Sequence, residues 1–169
     1  MLTQSVRAIS IRRIILKTIP LSQGKETVVD NDDYKWLTRW KWYFRSGYAV
    51  RIKKNEVGKV VTVWMHREIM KTPVGMFTDH KNLNKLDNRK ENLRICTNVQ
   101  NQKNSLGKKS NTSGYTGVQW HTGSKKWRAS IYINRKHISL GLYKNKEDAA
   151  RAYDKRLVEE FGEFARPNL

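Results

Sequence analysis

One cysteine, Cys96, is all the thiol chemistry in this 169-residue sequence. That excludes an internal disulfide and any paired-cysteine zinc motif, and it fits a reducing cytosol. Acidic residues are scarce: 15 Asp plus Glu stand against 34 Lys plus Arg, a formal net charge of +19. Long apolar runs are missing as well. Between residues 5 and 21, Arg7, Arg12 and Arg13 interrupt Ile9, Ile11, Ile14 and Ile15. No small-residue cleavage site follows, so the segment reads as an extension or arm, not as a membrane span or signal peptide. Internal repeats and low-complexity tracts are absent.

What is present is positive charge, spread over both halves of the chain. A surface of that sign attracts polyanions, and nucleic acid comes first because neutralised phosphates release condensed counterions. An anionic membrane would need a long basic amphipathic helix, and the pattern offers none. Hydrophobic residues make up 38%, lean enough to favour two compact cores over one large one.

Along residues 22–65, Gly24, the Asp30–Asp33 cluster, Ser46-Gly47 and Asn55–Gly58 punctuate apolar runs at Trp40–Phe44, Tyr48–Ile52 and Val60–Met65. These read as short strands and turns, with Trp36, Trp40 and Trp42 in core and hairpin packing. His66–Met70 reads as a short helix ending before Pro73, with His66 structural. Residues 76–104 read as strand, loop, strand, helix, and Thr97-Asn98-Val99-Gln100 is a capping box that starts the helix. Lys108–Ser113 holds no apolar residue and reads as a linker.

Residues 114–169 read as three strands and a helix. Trp127, Ala129, Ile131 and Ile133 alternate with Arg128, Ser130 and Tyr132. Asn134-Arg135 is a two-residue turn. Ile138, Leu140 and Leu142 are expected inward, His137 and Ser139 outward. Asn145 is the expected N-cap of a helix whose apolar positions are Ala149, Ala150, Tyr153, Leu157 and Phe161, and Gly162 its stop. One helix covers one face of such a sheet and leaves the other free.

Chemistry concentrates between Thr78 and Asn101. Metal-assisted phosphodiester hydrolysis needs a hard cation on oxygen ligands, a base for the attacking water, and charge to stabilise the leaving oxygen. Asp79 offers a carboxylate. Asn101, one turn into the capped helix, offers an amide oxygen that can face back across the hairpin. His80 points to the opposite side of its strand and is available as the base when neutral. Asn92 sits where the loop returns and can tie it together. Arg94 and Lys85 are candidates for phosphate contact, and Cys96 for a buried apolar position.

The run Asp79-His80, Lys85–Arg89, Glu91–Arg94, Thr97 and Gln100-Asn101 resembles the HNH endonucleases of the ββα-metal fold, especially those of phages and mobile introns. Ile19–Lys25 and Tyr34–Leu37 resemble them too. The resemblance implies Asp79 and Asn101 as ligands of one Mg²⁺ or Mn²⁺ ion, His80 as general base and Asn92 as the structural middle residue of the motif. Asn101 stands where the name of the family has its final histidine.

A second resemblance covers most of 114–169. Gly117-Val118, Trp127, Leu140-Gly141, Ala149–Asp154 and Ala165–Asn168 are similar to the AP-two domain of plant ethylene-response factors. Such domains lay their sheet in the DNA major groove. Gln119, His121, Arg128, Ser130, Tyr132, His137 and Ser139 would then face DNA, with Lys125, Lys126, Arg135 and Lys136 on phosphates. Gln119, His121 and His137 replace arginines usual in those factors, so base preference does not transfer.

The expected architecture is therefore α+β: an N-terminal extension over 1–18, a ββα-metal nuclease domain over 19–104, a linker over 105–113, and a DNA-binding domain over 114–169. The last is a small three-stranded antiparallel sheet packed on one helix. The expected activity is a site-directed, homing-type endonuclease that nicks double-stranded DNA, with no membrane and no obligatory protein partner. Its expected location is the cytoplasm, that of a bacterial host if phage-encoded. The alternatives are a catalytically inactive DNA-binding regulator with the same two domains and, on charge alone, an RNA-binding protein.

Overall fold

The computed structural model describes residues 16–105 and 112–169. Most of the expected extension, over 1–18, and most of the expected linker, over 105–113, lie outside the described residues. The protein is a mixture of short helices and small antiparallel sheets, as an α+β class requires. Its contacts divide it into two compact units: one runs through Ile69 and includes Lys85–Asn92, the other comprises Met70–Asn84 and Leu93–Leu169. These differ from the domains expected from sequence, because the nuclease hairpin belongs to one unit and much of its loop to the other.

In the first unit, β1 (Lys17–Pro20) and β2 (Glu26–Val29) form a hairpin, and β3 (Tyr43–Arg45), β4 (Tyr48–Lys54) and β5 (Val60–Trp64) a three-stranded meander. Among the described residues two α-helices complete it, α1 (Asn31–Leu37) and α2 (Met65–Ile69). The Asp30–Asp33 cluster, expected as a turn, instead opens α1. Asp30 is extended at the N-cap, and Asp32 and Asp33 occupy the first turn, where carboxylates favour the positive end of the helix dipole. Of the three tryptophans, Trp42 is buried and its indole donates to the Leu37 carbonyl at 2.8 Å, whereas Trp40 is exposed beneath the Arg51 guanidinium. His66 is buried in contact with the Tyr48 and Trp64 rings.

Lys85–Asn92 is strapped to β2. Val28 and Asp87 form a parallel bridge, Val28 N–H donates to the Leu86 carbonyl at 2.8 Å, and Asn88 N–H donates to the Val28 carbonyl at 2.8 Å. Side chains repeat the tie: Thr27 Oγ1 donates to the Leu86 carbonyl, and the buried Asn88 amide donates to Thr27 Oγ1 at 2.7 Å. The Asp87 carboxylate in turn takes Nε and Nη2 of Arg89, both at 2.7 Å. The Leu-Asp-Asn-Arg string is thus scaffolding.

In the second unit, β6 (Phe77–His80) pairs with β7 (Leu93–Cys96), followed by α3 (Asn98–Lys103). Next come β8 (Val118–His121), β9 (Lys126–Ile133) and β10 (Lys136–Tyr143), in sheet order β10-β9-β8, and α4 (Lys146–Phe161). Asn134 and Arg135 both have positive φ (49° and 62°), the left-handed pair of a type I′ turn that matches strand twist. Val118, Ala129, Ile131 and Ile133 pack against Ala149, Ala150, Tyr153 and Leu157 of α4 in two contiguous clusters.

Leu142 is not inward. The register skips between Ser139 and Gly141, a bulge that spends Leu140 as an unpaired residue and reverses the alternation after it. Leu142 then lies opposite Arg128, while Tyr143 turns inward opposite Trp127. The Asn168 landmark is a clasp: its amide donates to Asp154 Oδ1 at 2.8 Å and its carbonyl oxygen accepts the Thr116 N–H at 2.7 Å.

Gly117 has a φ of 77°, and a Cβ built there would collide with the Tyr153 ring and the Ser130 carbonyl. Gly117→Ala should therefore cost more than about 2 kcal/mol, from left-handed strain plus overpacking. Gly123→Ala meets no atom closer than 3.5 Å and lacks the positive φ, so it should stay within about 1 kcal/mol. Thermal melts of both proteins check this, and equal melting temperatures would refute it.

Candidate active site

The β6–β7 register sets the first geometry. Asp79 lies opposite Arg94, and His80 opposite Leu93, so alternation sends Asp79 and His80 to opposite faces of one strand. Both are only 5% exposed. A carboxylate buried to that degree must be satisfied by hydrogen bonds or a counter-charge. Arg94 supplies both, donating Nε at 2.9 Å and Nη2 at 2.7 Å to the same Oδ2. Arg94, expected on phosphates, is itself 9% exposed and committed to Asp79. Lys85, the other phosphate candidate, lies over the Tyr48 ring at 4.5 Å within the first unit.

Helix α3 begins as the capping box predicts. Thr97 Oγ1 accepts the Gln100 N–H at 3.3 Å, and Gln100 Oε1 accepts the Thr97 N–H at 2.8 Å. Such a cap contributes about 1 kcal/mol, and it fixes the phase of the residues that follow. The amide that reaches Asp79 comes from Asn104 at the helix end, not from Asn101. Asn104 Nδ2 lies 3.0 Å from each Asp79 carboxylate oxygen and 2.9 Å from the His80 carbonyl. These neighbours are all acceptors, so the amide must present its N–H₂ to them. Asn101 is half-buried, three residues earlier on the same side of the helix. It makes no hydrogen bond to Asp79 among the described residues. Asn104 and Arg94 are therefore the residues missed by sequence reasoning. Neither carries a decisive local signal: Asn104 lies at i+3 from Asn101 on the same side of α3, and Arg94 faces Asp79 only through the β6–β7 register.

Asn92 closes the loop in the first unit. Its amide donates to the Asp87 carbonyl at 2.8 Å and its N–H to the Arg89 carbonyl at 3.0 Å. The oxygen atoms at this point are hard: the Asp79 carboxylate and the His80 and Lys81 carbonyls, all met by the Asn104 amide. They suit Mg²⁺ or Mn²⁺ in chemical type. No cluster of three His, Cys, Asp or Glu exists among the described residues. An ion at Asp79 would thus complete its shell with amide oxygen, water and phosphate, the habit of Mg²⁺.

A second surface lies on the face of the β8–β10 sheet turned away from α4. Register places Gln119 opposite Arg128, His121 opposite Lys126, His137 opposite Tyr132, and Ser139 opposite Ser130. Paired residues share a face, so all eight stand together, away from the face packed on α4. Arg128 Nη2 donates to Gln119 Oε1 at 3.1 Å, and the His121 ring contacts Ser124 Oγ at 2.8 Å. Lys136 is the exception: it lies opposite the buried Ile133, so its strand position belongs to the helix side at the hairpin end.

Residues 71–103 match the HNH endonuclease family. Over 157 residues the chain is 34% identical to an uncharacterised HNH endonuclease of Acanthamoeba polyphaga mimivirus, covering 88% of this chain and 78% of that protein. It is also 33% identical over 94 residues to Protein 3.8 of Escherichia phage T7, covering 56% of this chain and 77% of that one. No helix among the described residues is long and apolar enough to cross a membrane.

Cys96 is buried, and burial pushes its thiol up to about 11, with the Asp79 charge adding to the effect and Arg94 opposing it. The reactive species is the thiolate. A thiol reagent at pH 8 should therefore leave the folded protein unmodified and label one cysteine once it is unfolded. Rapid stoichiometric labelling of the folded protein would contradict this placement.

Proposed function

Because the chain belongs to the HNH endonuclease family, we propose that it is a site-directed, divalent-metal-dependent DNA endonuclease of the homing type, nicking one strand per centre. That it is a nuclease rests on the family, and membership implies a DNA substrate. The finer reading is supported above all by Asp79 and His80, adjacent and both buried on opposite faces of β6, beside a capped helix rich in amides. HNH nucleases use divalent metal ions. Asp79 and Asn101 would hold one Mg²⁺ or Mn²⁺, which when bound supplies charge to polarise the scissile phosphate and stabilise the leaving oxygen.

The protein's own part is positional and acid–base. His80, as neutral imidazole, takes a proton from water as the water oxygen bonds to phosphorus and the bond to the leaving oxygen breaks. Asn92 keeps the loop before β7 closed through Asp87. Arg94 and Asn104 hold the Asp79 carboxylate in one orientation. Viral relatives accord with a mobile-element or phage enzyme, and the single cysteine with a reducing host cytoplasm.

The same reading gives the C-terminal sheet the task of finding the site, in the manner of an AP-two domain in the major groove. It rests on Gln119, His121, Arg128, Ser130, Tyr132, His137 and Ser139 sharing the face turned away from α4, with Lys126 at its edge. Lys136, expected on phosphate, keeps that role only from the hairpin end. The proposed domains remain a nuclease module ending near residue 104 and a DNA-reading module from 114.

Incubation of supercoiled and long phage or host DNA with Mg²⁺, Mn²⁺ or EDTA tests the reading. Wild type should nick in a metal-dependent way. His80→Ala and Asp79→Ala should lose at least about 100-fold in rate while still binding DNA. Full cleavage by both variants would refute the mechanism, and binding without any cleavage of a cognate site would favour an inactive regulator. On the sheet, Arg128→Ala should weaken binding by about 1–3 kcal/mol and relax sequence preference. Lys126→Ala should instead lower the slope of log affinity against log salt by about one, with preference unchanged. Binding titrations across salt concentrations read both, and wild-type behaviour of both variants would remove the sheet from the DNA interface.

A further inference from the structure

Arg94 touches more than Asp79. While Nε and Nη2 engage Asp79 Oδ2, Nη1 donates to the backbone carbonyl of Glu163, and the Phe164 ring covers the guanidinium at 4.3 Å. The Glu163 carboxylate is 3.7 Å away but 68% exposed, so the carbonyl and the ring make the hold. Glu163 and Phe164 belong to the 3₁₀ turn Gly162–Phe164 that ends α4. A parallel contact joins α3 to the same helix end, with the Lys103 ammonium over the Phe161 ring at 5.1 Å. The most C-terminal helix therefore reaches the carboxylate of the nuclease motif through one side chain.

Resting on the nuclease reading above, we propose that Arg94 is a positioning residue of the nuclease centre. Through it the C-terminal turn Gly162–Phe164 sets the orientation and cation affinity of Asp79. Two guanidinium donors converge on Oδ2 while the Asn104 amide meets both oxygens, and these contacts together orient the carboxylate; among the described residues Oδ1 accepts only from Asn104. Oδ1 is accordingly the oxygen left to meet a second cation. A fixed positive charge 2.7 Å from the carboxylate also opposes that cation, because like charges repel most strongly where water is excluded. Arg94 thus trades metal affinity for geometry. The C-terminal turn controls the trade because the Glu163 carbonyl and the Phe164 ring determine where the guanidinium lies.

The test uses the full chain, Mn²⁺ as the probe, and two readouts. Mn²⁺ affinity is measured by electron paramagnetic resonance of the free ion, without DNA, and cleavage is resolved into kcat and KM. Arg94→Met should bind Mn²⁺ three- to tenfold more tightly yet cut at least tenfold more slowly, with KM for DNA unchanged. Phe164→Ala should move both quantities the same way by a smaller factor, because the Phe164 ring covers the Arg94 guanidinium. Arg94→Lys, which keeps the charge but not the fork, should leave Mn²⁺ affinity near wild type and still slow cleavage.

Wild-type Mn²⁺ affinity in folded Arg94→Met and Phe164→Ala would overturn the proposal, leaving a merely structural contact that only melting would report. If Arg94→Met does not fold, Phe164→Ala and Arg94→Lys decide alone. Undiminished cleavage by Asp79→Ala would instead overturn the nuclease mechanism, so the two failures are distinguishable.

Discussion

A carboxylate buried in a small basic protein needs donors, and the demands of Asp79 organise much that surrounds it. Its cross-strand partner must be cationic, and Arg94 occupies that register position. The helix after β7 must end with a donor in reach, and Asn104 does so because the Thr97–Gln100 capping box fixes where α3 begins. The guanidinium then has donors left over, and a buried donor without a partner would itself be costly. The Glu163 carbonyl takes one of them. Each step follows from the one before.

The motif that resembles the HNH nucleases divides by task. Asp79 and His80 carry ionisable groups on β6. The string from Leu86 to Asn88 carries none of the proposed chemistry. It adds a short parallel segment to β2, with a backbone bridge at Val28–Asp87 and a buried amide on Thr27. Arg89 is bound at Nε and Nη2 by Asp87 and at Nη1 by Glu91, and so is held as an internal counter-ion. Asn92 belongs with these supports, since its amide is spent on the Asp87 carbonyl. A string that reads as one signature is thus a buried ionisable pair followed by a strap and a clasp.

What the sequence disclosed was whatever local periodicity controls. Alternation along 126–133, the Asn134-Arg135 turn, the Thr97 cap and the Gly162 stop all rest on neighbours within a few residues, and the structure has each of them. Two readings failed where another rule took over. Asp30–Asp33 suits a turn or a helix start equally well, and α1 follows because Leu37 behind it finds a core. Leu142 obeyed alternation until a bulge removed one residue from the ladder. Asn101 and Asn104 share a helix side, and nothing local says which of them reaches a strand more than twenty residues earlier. Arg94 was ambiguous for a related reason: sequence cannot say whether an arginine faces water or a carboxylate fifteen residues away.

The face of the C-terminal sheet turned away from α4 poses a different problem. On the proposed reading it must recognise DNA, yet its register positions carry mostly neutral donors and acceptors: Gln119, His121, Ser130, Tyr132, His137 and Ser139. Arg128 and Lys126 are the cations among them. Affinity for DNA comes largely from phosphates, and base discrimination from groove contacts. With a net charge of +19, the chain has cations enough elsewhere for the first, so the face can be given to the second. Arg128 already holds the Gln119 amide oxygen, which pre-orders two readers on adjacent strands before DNA arrives. Pre-ordering reduces the entropy lost on binding. A face built this way would spend its few charges on orientation and leave attraction to the rest of the protein.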